Sequence, residues 1–463
     1  MKKIMTFLLA FASIAIVFTA CQNENNTNQT ADKPSEKVIS SKLNSAFVAP
    51  PLKGIDVVFN KMTIQAGQGG ELSLNNGTKI VIPANAFVNA NGEAVTGKVD
   101  IEYREFHNAA EIIASGIPMT NPEGTKFMQT AGMFEMRGKQ GDAAIEIAPD
   151  QSVEVKMASF VEDGQTYDFF ILDEEKGEWQ DKGTAAPQKN AVKIQALKKL
   201  ATVPEAPIKP QAPTEEAFKF DFDINYKKFP ELRAYEGVIW QYAGKQEATN
   251  PEKNTWIFSE DWADISLEKA SNGQYSIVLK SNEKSFKTEV QPVLEGKNLQ
   301  KAMYEFEQRQ SEYTKIKAER KQEETRLAAE ADLLRSFKVE QFGIYNWDVW
   351  KDPARMILSA KFDFGKDFNA DVNNITVFLV TADNRSVVRY RAGDFDKFSF
   401  DPTANNELMA VLPGNKIGVF SVEDFKKLDI ESIQKDAAFT FKMSVKGKAV
   451  ESVDDLGQML ASR

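Results

Sequence analysis

The residues best suited to catalysis or metal binding are scarce in this chain of 463 residues, which contains one cysteine and one histidine. A single cysteine cannot close an intrachain disulfide, and a single histidine cannot supply a multi-histidine metal centre. His107 is the one candidate imidazole base, but the sequence offers it no cysteine partner and contains no G-x-S-x-G serine elbow. We interpret His107 as structural, and we expect no catalytic residue, no metal and no cofactor.

Three further patterns imitate known sites without completing them. Residues 281–284 read S-x-x-K, but the companion motifs S-D-N and K-T-G are missing. Residues 221–232 begin like a calcium loop, yet tyrosine and leucine stand where such a loop needs glycine and glutamate. The segment 367–373 places aspartate and asparagine at alternate positions of a predicted loop, so a calcium site there stays open.

The charge balance limits the partners. The chain carries 57 Lys+Arg against 67 Asp+Glu, a net charge of −10, which argues against binding along a nucleic-acid backbone. A chain with 67 Asp and Glu residues can fold so that two of their carboxyl groups lie about 5–10 Å apart, which is the separation used in glycoside hydrolysis. A glycan-active hydrolase with a carboxylate pair is therefore an alternative function, although no motif identifies the pair.

The amino terminus has the composition of an export signal. Two lysines precede an uncharged, mostly apolar run over residues 4–20, and Cys21 follows it. Phe18-Thr19-Ala20-Cys21 resembles the bacterial lipobox, in which the chain is cut before the cysteine and lipid is attached to its thiol. The resemblance implies a lipoprotein signal peptide over residues 1–20 and lipidation of Cys21. An ordinary secretory signal beside a chance cysteine is the alternative.

Lipid on Cys21 would hold the mature protein at the membrane, since two or more acyl chains give stable anchoring. Cleavage removes two lysines and no acid, so the mature chain is more acidic and is not attracted to anionic lipid by its own charge. Residues 21–50 are polar along most of their length and are predicted to form a disordered tether. Glutamine follows Cys21, instead of the aspartate associated with inner-membrane retention, so we expect the outer membrane.

Residues 51–183 alternate between apolar and polar positions, which is the period of half-buried strands. In this region Val99, Ile101 and Tyr103 share one side of a predicted strand. Asn-Gly pairs at 76–77 and 91–92 supply the turns between such runs, and together they predict a β-sandwich domain.

Part of this domain resembles a known family. The run GGELSLNNGTKIVIPANAF at 69–87, followed by 97–103, is similar to the opening of the β-sandwich module of ankyrins and netrin receptors. The continuation from Tyr103 to Met119 resembles uncharacterised lipoproteins of Bacteroidota. The resemblance implies a sandwich that makes protein–protein contacts and is not catalytic, and it transfers no partner-contacting residue.

Residues 184–217 are predicted to be a Pro-rich linker, because prolines recur every third residue from Pro204 to Pro213, the repeat of polyproline II. A docking ligand for an aromatic groove is the alternative. Residues 218–296 are predicted to form a small β domain. Its core is assigned to the large apolar side chains Trp240, Tyr242, Trp256, Phe258, Trp262, Tyr275, Ile277, Leu279 and Phe286.

Residues 297–335 contain neither glycine nor proline, and opposite charges recur four residues apart, which predicts one long charged α-helix. Its ends are apolar and its middle is charged, so we expect a strut whose ends pack on flanking domains; a coiled-coil dimer is the alternative. Residues 336–463 are predicted to form a C-terminal β-rich domain, with a central strand at 375–380 and short helices at 421–428 and 453–460.

The predicted protein is therefore mainly β and multidomain, with β-sandwich-like domains joined by a Pro-rich spacer and one long charged helix. We expect a lipid-anchored protein of the bacterial cell envelope that binds or scaffolds a protein or glycan partner and is not an enzyme. A purely structural envelope spacer is a further alternative. A deep cleft with two inward carboxylates would favour the hydrolase, and shallow surfaces with exposed apolar groups would favour binding.

Overall fold

The computed structural model describes residues 47–461 except 203, 222–224, 226, 233–236, 271–273, 353–354, 367, 369–371 and 382–384. These residues form a mainly β protein with several separate sheets, so the predicted multidomain, β-sandwich-like fold class is confirmed. The predicted signal peptide, Cys21 and most of the predicted tether lie outside the described residues, as does most of the candidate calcium loop at 367–373.

The first part of the chain consists of short strands and two helices. Up to residue 202 these are β1 (Asn60–Gln65), β2 (Gly70–Ser73), β3 (Lys79–Ile82), β4 (Phe87–Val88), β5 (Lys98–Phe106), α1 (Ala109–Ser115), β6 (Phe127–Gln140), β7 (Ala143–Ala144), β8 (Glu146–Ile147), β9 (Val153–Ser159), β10 (Asp168–Asp173), β11 (Glu178–Thr184), β12 (Gln188–Lys189) and α2 (Ala191–Leu200).

The middle of the chain contains β13 (Lys219–Phe220), β14 (Ile239–Tyr242), β15 (Asp264–Lys269), β16 (Tyr275–Lys280), β17 (Ser285–Val293) and α3 (Gly296–Ala329). The last part contains β18 (Leu333–Val339), β19 (Gly343–Lys351), β20 (Met356–Asp363), β21 (Thr376–Thr381), β22 (Ser386–Tyr390), β23 (Phe398–Phe400), β24 (Glu407–Leu412), β25 (Lys416–Phe420), α4 (Val422–Phe425), α5 (Ile430–Asp436), β26 (Ala438–Lys442), β27 (Ser444–Val445) and α6 (Val453–Ala461).

Two sheets form the amino-terminal sandwich. One has the strand order β1-β5-β6-β19-β10-β11, with β7 paired to β6, and the other has the order β12-β18-β9-β3-β2. Val99, Ile101 and Tyr103 of β5 belong to the core between the sheets, as the alternating pattern predicted. Phe169 and Trp347 meet in the same core with ring centroids 4.5 Å apart. Trp347 is fully buried there.

Strands β18 and β19 belong to this sandwich although they follow the long helix. β18 pairs with β9 from Leu333↔Ser159 to Val339↔Val153, and β19 lies between β6 and β10. The predicted domain boundary between residues 335 and 336 thus falls inside a strand of the sandwich, and the segment between β12 and β18 is an insertion into it. Alternation of apolar and polar residues identifies a strand. It does not predict the strand's partner, because pairing depends on packing against residues that are distant in the sequence.

The insertion contains α2, an antiparallel sheet of order β13-β14-β17-β16-β15, and α3. Helix α2 lies within the segment predicted to be linker, and Asn190 caps it by accepting a hydrogen bond from the Lys193 backbone N–H. The Pro-rich stretch 204–213 contains neither helix nor strand. The predicted hairpin turn at 272–273 lies outside the described residues.

Helix α3 is the predicted long helix, but it ends at Ala329 and not at residue 335. Glu330 has an extended backbone (φ −76°, ψ 142°), and β18 begins at Leu333. Pairing with β9 therefore overrides helix propensity in the last six residues of the prediction. Among the described helix residues, Ala302 near one end and Leu327 near the other are buried, as expected of a strut with packed ends.

The carboxy-terminal region adds a sheet of order β22-β21-β24-β25-β27 and a smaller one of order β23-β20-β26, in which β20 and β26 are parallel. β21 is an interior strand of the larger sheet, as predicted for 375–380. Helix α4 forms within the predicted segment 421–428, and α6 extends one residue beyond the predicted segment 453–460. The larger sandwich sheet has a second apolar face, where Phe106 and Ile344 pack with α1, α6, β21, β24 and β25. The sandwich and the carboxy-terminal region therefore share one core.

Candidate functional site

The single histidine lies in a buried polar cluster at the end of β5. The Glu105 carboxylate accepts hydrogen bonds from Thr78 Oγ1 (2.5 Å), Tyr103 OH (2.8 Å) and Asn76 Nδ2 (2.5 Å), and His107 Nε2 lies 2.8 Å from it. Burial opposes ionisation of both partners. Even so, the hydrogen bond between them lowers the pKa of Glu105 from its ordinary value. The same hydrogen bond raises the pKa of His107 from its ordinary value.

This cluster joins β5 to α1. The His107 backbone N–H donates to the Glu111 carboxylate. The same carboxylate accepts from the Asn108 backbone N–H, and the Asn108 side chain accepts from the Glu111 backbone N–H, so Asn108 and Glu111 form a capping box at the start of α1. The His107 ring also packs edge-on against Phe160, with centroids 5.0 Å apart. Each of these contacts of His107 helps to hold β5, α1 and Phe160 together.

A buried ion network lies on the adjacent part of the sheet. Glu135 bridges two arginines, since its carboxylate is 2.7 Å from Arg104 Nη2 and 2.8 Å from Arg137 Nε. Arg104 also pairs with Asp56 (2.7 Å) and Arg137 with Glu174 (2.7 Å). The charges alternate along the network, so each buried ion has an opposite neighbour.

Two neighbouring carboxylates, Asp173 and Glu174, line a cavity of 310 Å³. Backbone hydrogen bonds led by that from Lys176 lower the pKa of Asp173, whereas burial raises the pKa of Glu174. Asp173 accepts hydrogen bonds from backbone N–H groups of its own turn and from Gln180 Nε2 on β11 (3.3 Å), and Glu174 pairs with Arg137. Both carboxylates thus have structural partners, and this pair does not support the glycan-hydrolase alternative.

The insertion presents two large aromatic side chains to solvent. Trp256 and Phe258 lie on the 3-10 helix Thr255–Ser259 and are 39% and 57% exposed. Ile257 between them is buried in the core of the small β domain, and Trp262 Nε1 donates to its carbonyl oxygen (2.9 Å). Phe218 lies beside Phe258, with ring centroids 5.4 Å apart. We use the name aromatic surface for Phe218, Trp256 and Phe258, of which Trp256 and Phe258 lie on either side of the buried Ile257.

Charged groups border this surface. Lys284 Nζ lies 5.5 Å from the centroid of the Trp256 ring and 2.6 Å from a carboxylate oxygen of Glu260. Ser281 Oγ donates to the other carboxylate oxygen (2.8 Å), and these hydrogen bonds, led by that from Lys284, lower the pKa of Glu260. The S-x-x-K segment is thus the hairpin turn between β16 and β17, where it supplies polar groups next to an exposed ring.

The prediction that Trp256 and Phe258 belong to the core was wrong, whereas Trp240, Tyr275, Ile277, Leu279 and Phe286 are buried as predicted. Three consecutive bulky residues, Trp256-Ile257-Phe258, cannot all face one side of a short helix or strand. Their adjacency is the signal in the sequence that some of them must be exposed. Cys21, the predicted lipidation site, lies outside the described residues.

Comparison of the chain with protein-family models, curated proteins and solved structures gave no match. Among the described residues, no group of three or more His, Cys, Asp or Glu side chains is placed to hold a metal ion. Within that same part of the chain, no helix combines the length and apolar character needed to cross a bilayer.

Proposed function

We propose that this chain is a lipid-anchored protein of the bacterial cell envelope whose folded body binds a glycan through the aromatic surface. The anchor would be lipid on Cys21, preferably in the outer membrane, and residues 21–50 would tether the body to it. Binding is supported above all by the exposure of Trp256 and Phe258 on one anchored 3-10 helix.

Exposure of these rings has an energetic cost. Full burial of a large apolar side chain stabilises a protein by about 1.5–3 kcal/mol, so leaving half of Phe258 in water forgoes roughly 1 kcal/mol. The rings are also preorganised, because Ile257 anchors their helix in the core. A rigid aromatic group that a ligand can cover loses little conformational entropy on binding.

The neighbouring charges favour a glycan over a protein partner. The centre of a protein interface is depleted of charged residues. Here Lys284 lies over the Trp256 ring, and Glu260 is its ion-pair partner. Apolar faces of sugar rings can stack on aromatic side chains, while the hydroxyl groups around each ring hydrogen-bond to such charged neighbours.

A glycan array probed with the mature protein tests this proposal. The protein should retain a limited set of oligosaccharides, and Trp256→Ala and Phe258→Ala should each reduce retention. Ile265→Ala is the matched control, because Ile265 is 47% exposed on β15 of the same domain. Equal retention by all four proteins would reject the aromatic surface. If no oligosaccharide on the array retains the protein, and an envelope protein is crosslinked at Trp256, the partner is a protein instead.

The anchor is tested separately by Cys21→Ser. The variant should appear in the soluble fraction of cells that hold the unaltered protein in the membrane fraction, because its folded body then has no acyl chain. Unchanged membrane partitioning of the variant would contradict lipidation of Cys21.

A further inference from the structure

A cavity of 370 Å³ lies in the sandwich, apart from the aromatic surface. Its walls come from the loop between β9 and β10, from the end of β11 and the residues after it (184–187), and from the start of β18. Val161, Ala185 and Leu333 contribute apolar surface to it, and Tyr167 and Arg335 contribute polar groups. This volume is within the range of small-molecule sites.

Arg335 is a buried cation without a countercharge. Its side chain is among the largest fully buried ones, with 1% exposure, and Nη1 has no hydrogen-bond partner. Nε donates to Ser159 Oγ (3.1 Å), and the guanidinium carbon lies 4.8 Å from the centroid of the Tyr167 ring. It makes no ion pair with any carboxylate in the described part of the chain. A buried unpaired charge is strongly unfavourable, and burial lowers the pKa of Arg335 accordingly.

The nearby carboxylate of Asp163 already has hydrogen-bond partners other than Arg335. One oxygen accepts hydrogen bonds from Tyr167 OH (2.5 Å) and Arg385 Nη1 (3.0 Å), and the other accepts from the Gln165 backbone N–H (3.0 Å). Asp163 therefore forms its ion pair with Arg385 and not with Arg335, although its charge also acts on Arg335 at longer range. The other acid of the lining, Glu162, is exposed to solvent.

We propose that this cavity binds a small organic monoanion whose carboxylate accepts hydrogen bonds from Arg335. One uncompensated positive charge calls for one negative charge, and a guanidinium fork matches the two oxygens of a carboxylate. The apolar walls formed by Val161, Ala185 and Leu333 would contact the hydrocarbon part of the ligand. The site does not depend on the glycan proposal, because it lies in a different domain and uses different residues.

Isothermal titration of the mature lipoprotein in nonionic detergent tests the proposal. The probes are acetate, hexanoate and phenylacetate, each compared with its neutral amide, and inorganic phosphate. At least one carboxylate should bind with one-to-one stoichiometry, and its amide should bind roughly 10- to 100-fold more weakly. Absence of saturable carboxylate binding, equal affinity for the amide, or binding of phosphate alone would overturn the assignment.

Three variants locate the binding. Arg335→Met should weaken carboxylate binding by the same 10- to 100-fold, whereas Lys338→Met, at an exposed cation of the same strand, should leave it unchanged. Ala186→Trp should fill the cavity from its exposed wall without altering a buried group, and should therefore weaken carboxylate binding. This variant tests the location of the binding site if Arg335→Met does not fold. Full affinity in a folded Arg335→Met or in Ala186→Trp would refute this location.

Discussion

Replacing His107 by glutamine should destabilise the protein in a pH-dependent way, because the variant loses the ion pair with Glu105. Glu105 has a lowered pKa, so its contribution is present above its unfolded value of about 4.5 and is lost as the pH falls through the folded value. His107 has a raised pKa, so its contribution is fully present below 6.5 and is lost as the pH rises through the folded value. The pair therefore stabilises the fold most between these two limits.

The size of the effect follows from the contact. A hydrogen bond between charged groups contributes about 1.5–3 kcal/mol, and the 2.8 Å contact is largely shielded from water. His107→Gln should thus lower the free energy of unfolding by about 2 kcal/mol near pH 5.5. The difference from the unaltered protein should shrink as the pH rises above the folded pKa of His107.

Urea unfolding measured at several pH values gives this difference directly. Since His107 is the only histidine, an NMR titration of its ring protons follows the group without ambiguity. The titration midpoint should lie above 6.5, and Glu105→Gln should bring it down. A midpoint at or below 6.5, or a stability difference that does not change with pH, would refute the reasoning.

Two further predictions concern stability and can be checked by urea or thermal unfolding. Glu135→Gln should lower the free energy of unfolding by about 3–5 kcal/mol, because it removes the carboxylate shared by the buried Arg104 and the half-buried Arg137. Glu154→Gln, in a half-exposed pair, should cost less than about 1 kcal/mol. Equal costs would contradict the role given to the network. Gly116→Ala should be more damaging than Gly141→Ala: both have positive φ, but a Cβ at Gly116 would lie 2.2 Å from backbone atoms of Ala49, while at Gly141 it would meet open space. Similar losses at the two glycines would show that the close approach to Ala49 is not maintained.

Local features of the fold could be predicted from the sequence because they depend on neighbouring residues. Alternation identified β5 and assigned Val99, Ile101 and Tyr103 to the core, and charge spacing identified α3. Strand pairing could not be predicted in this way. β18 and β19 return to the sandwich across a long insertion, and no local pattern records which strands they will meet.

The candidate sites depend on the same long-range pairing. The predicted helix ends at Arg335, but in the structure Arg335 belongs to β18 and is buried beside Tyr167. The burial of Arg335 without an ion-pair partner follows from the packing of β9, β18 and the loop after β9. The sequence does not give this packing. Trp256 and Phe258 are exposed because Ile257 takes the core position of their 3-10 helix, a choice that composition alone does not reveal.

Glycan recognition through Trp256 and Phe258 is most directly tested by titrating the mature protein with the oligosaccharide that the array retains best. The unaltered protein and Ile265→Ala should bind it with the same affinity, and the double variant Trp256→Ala/Phe258→Ala should lose at least about tenfold, with its unfolding midpoint little changed. Undiminished affinity in the folded double variant would contradict the proposed function.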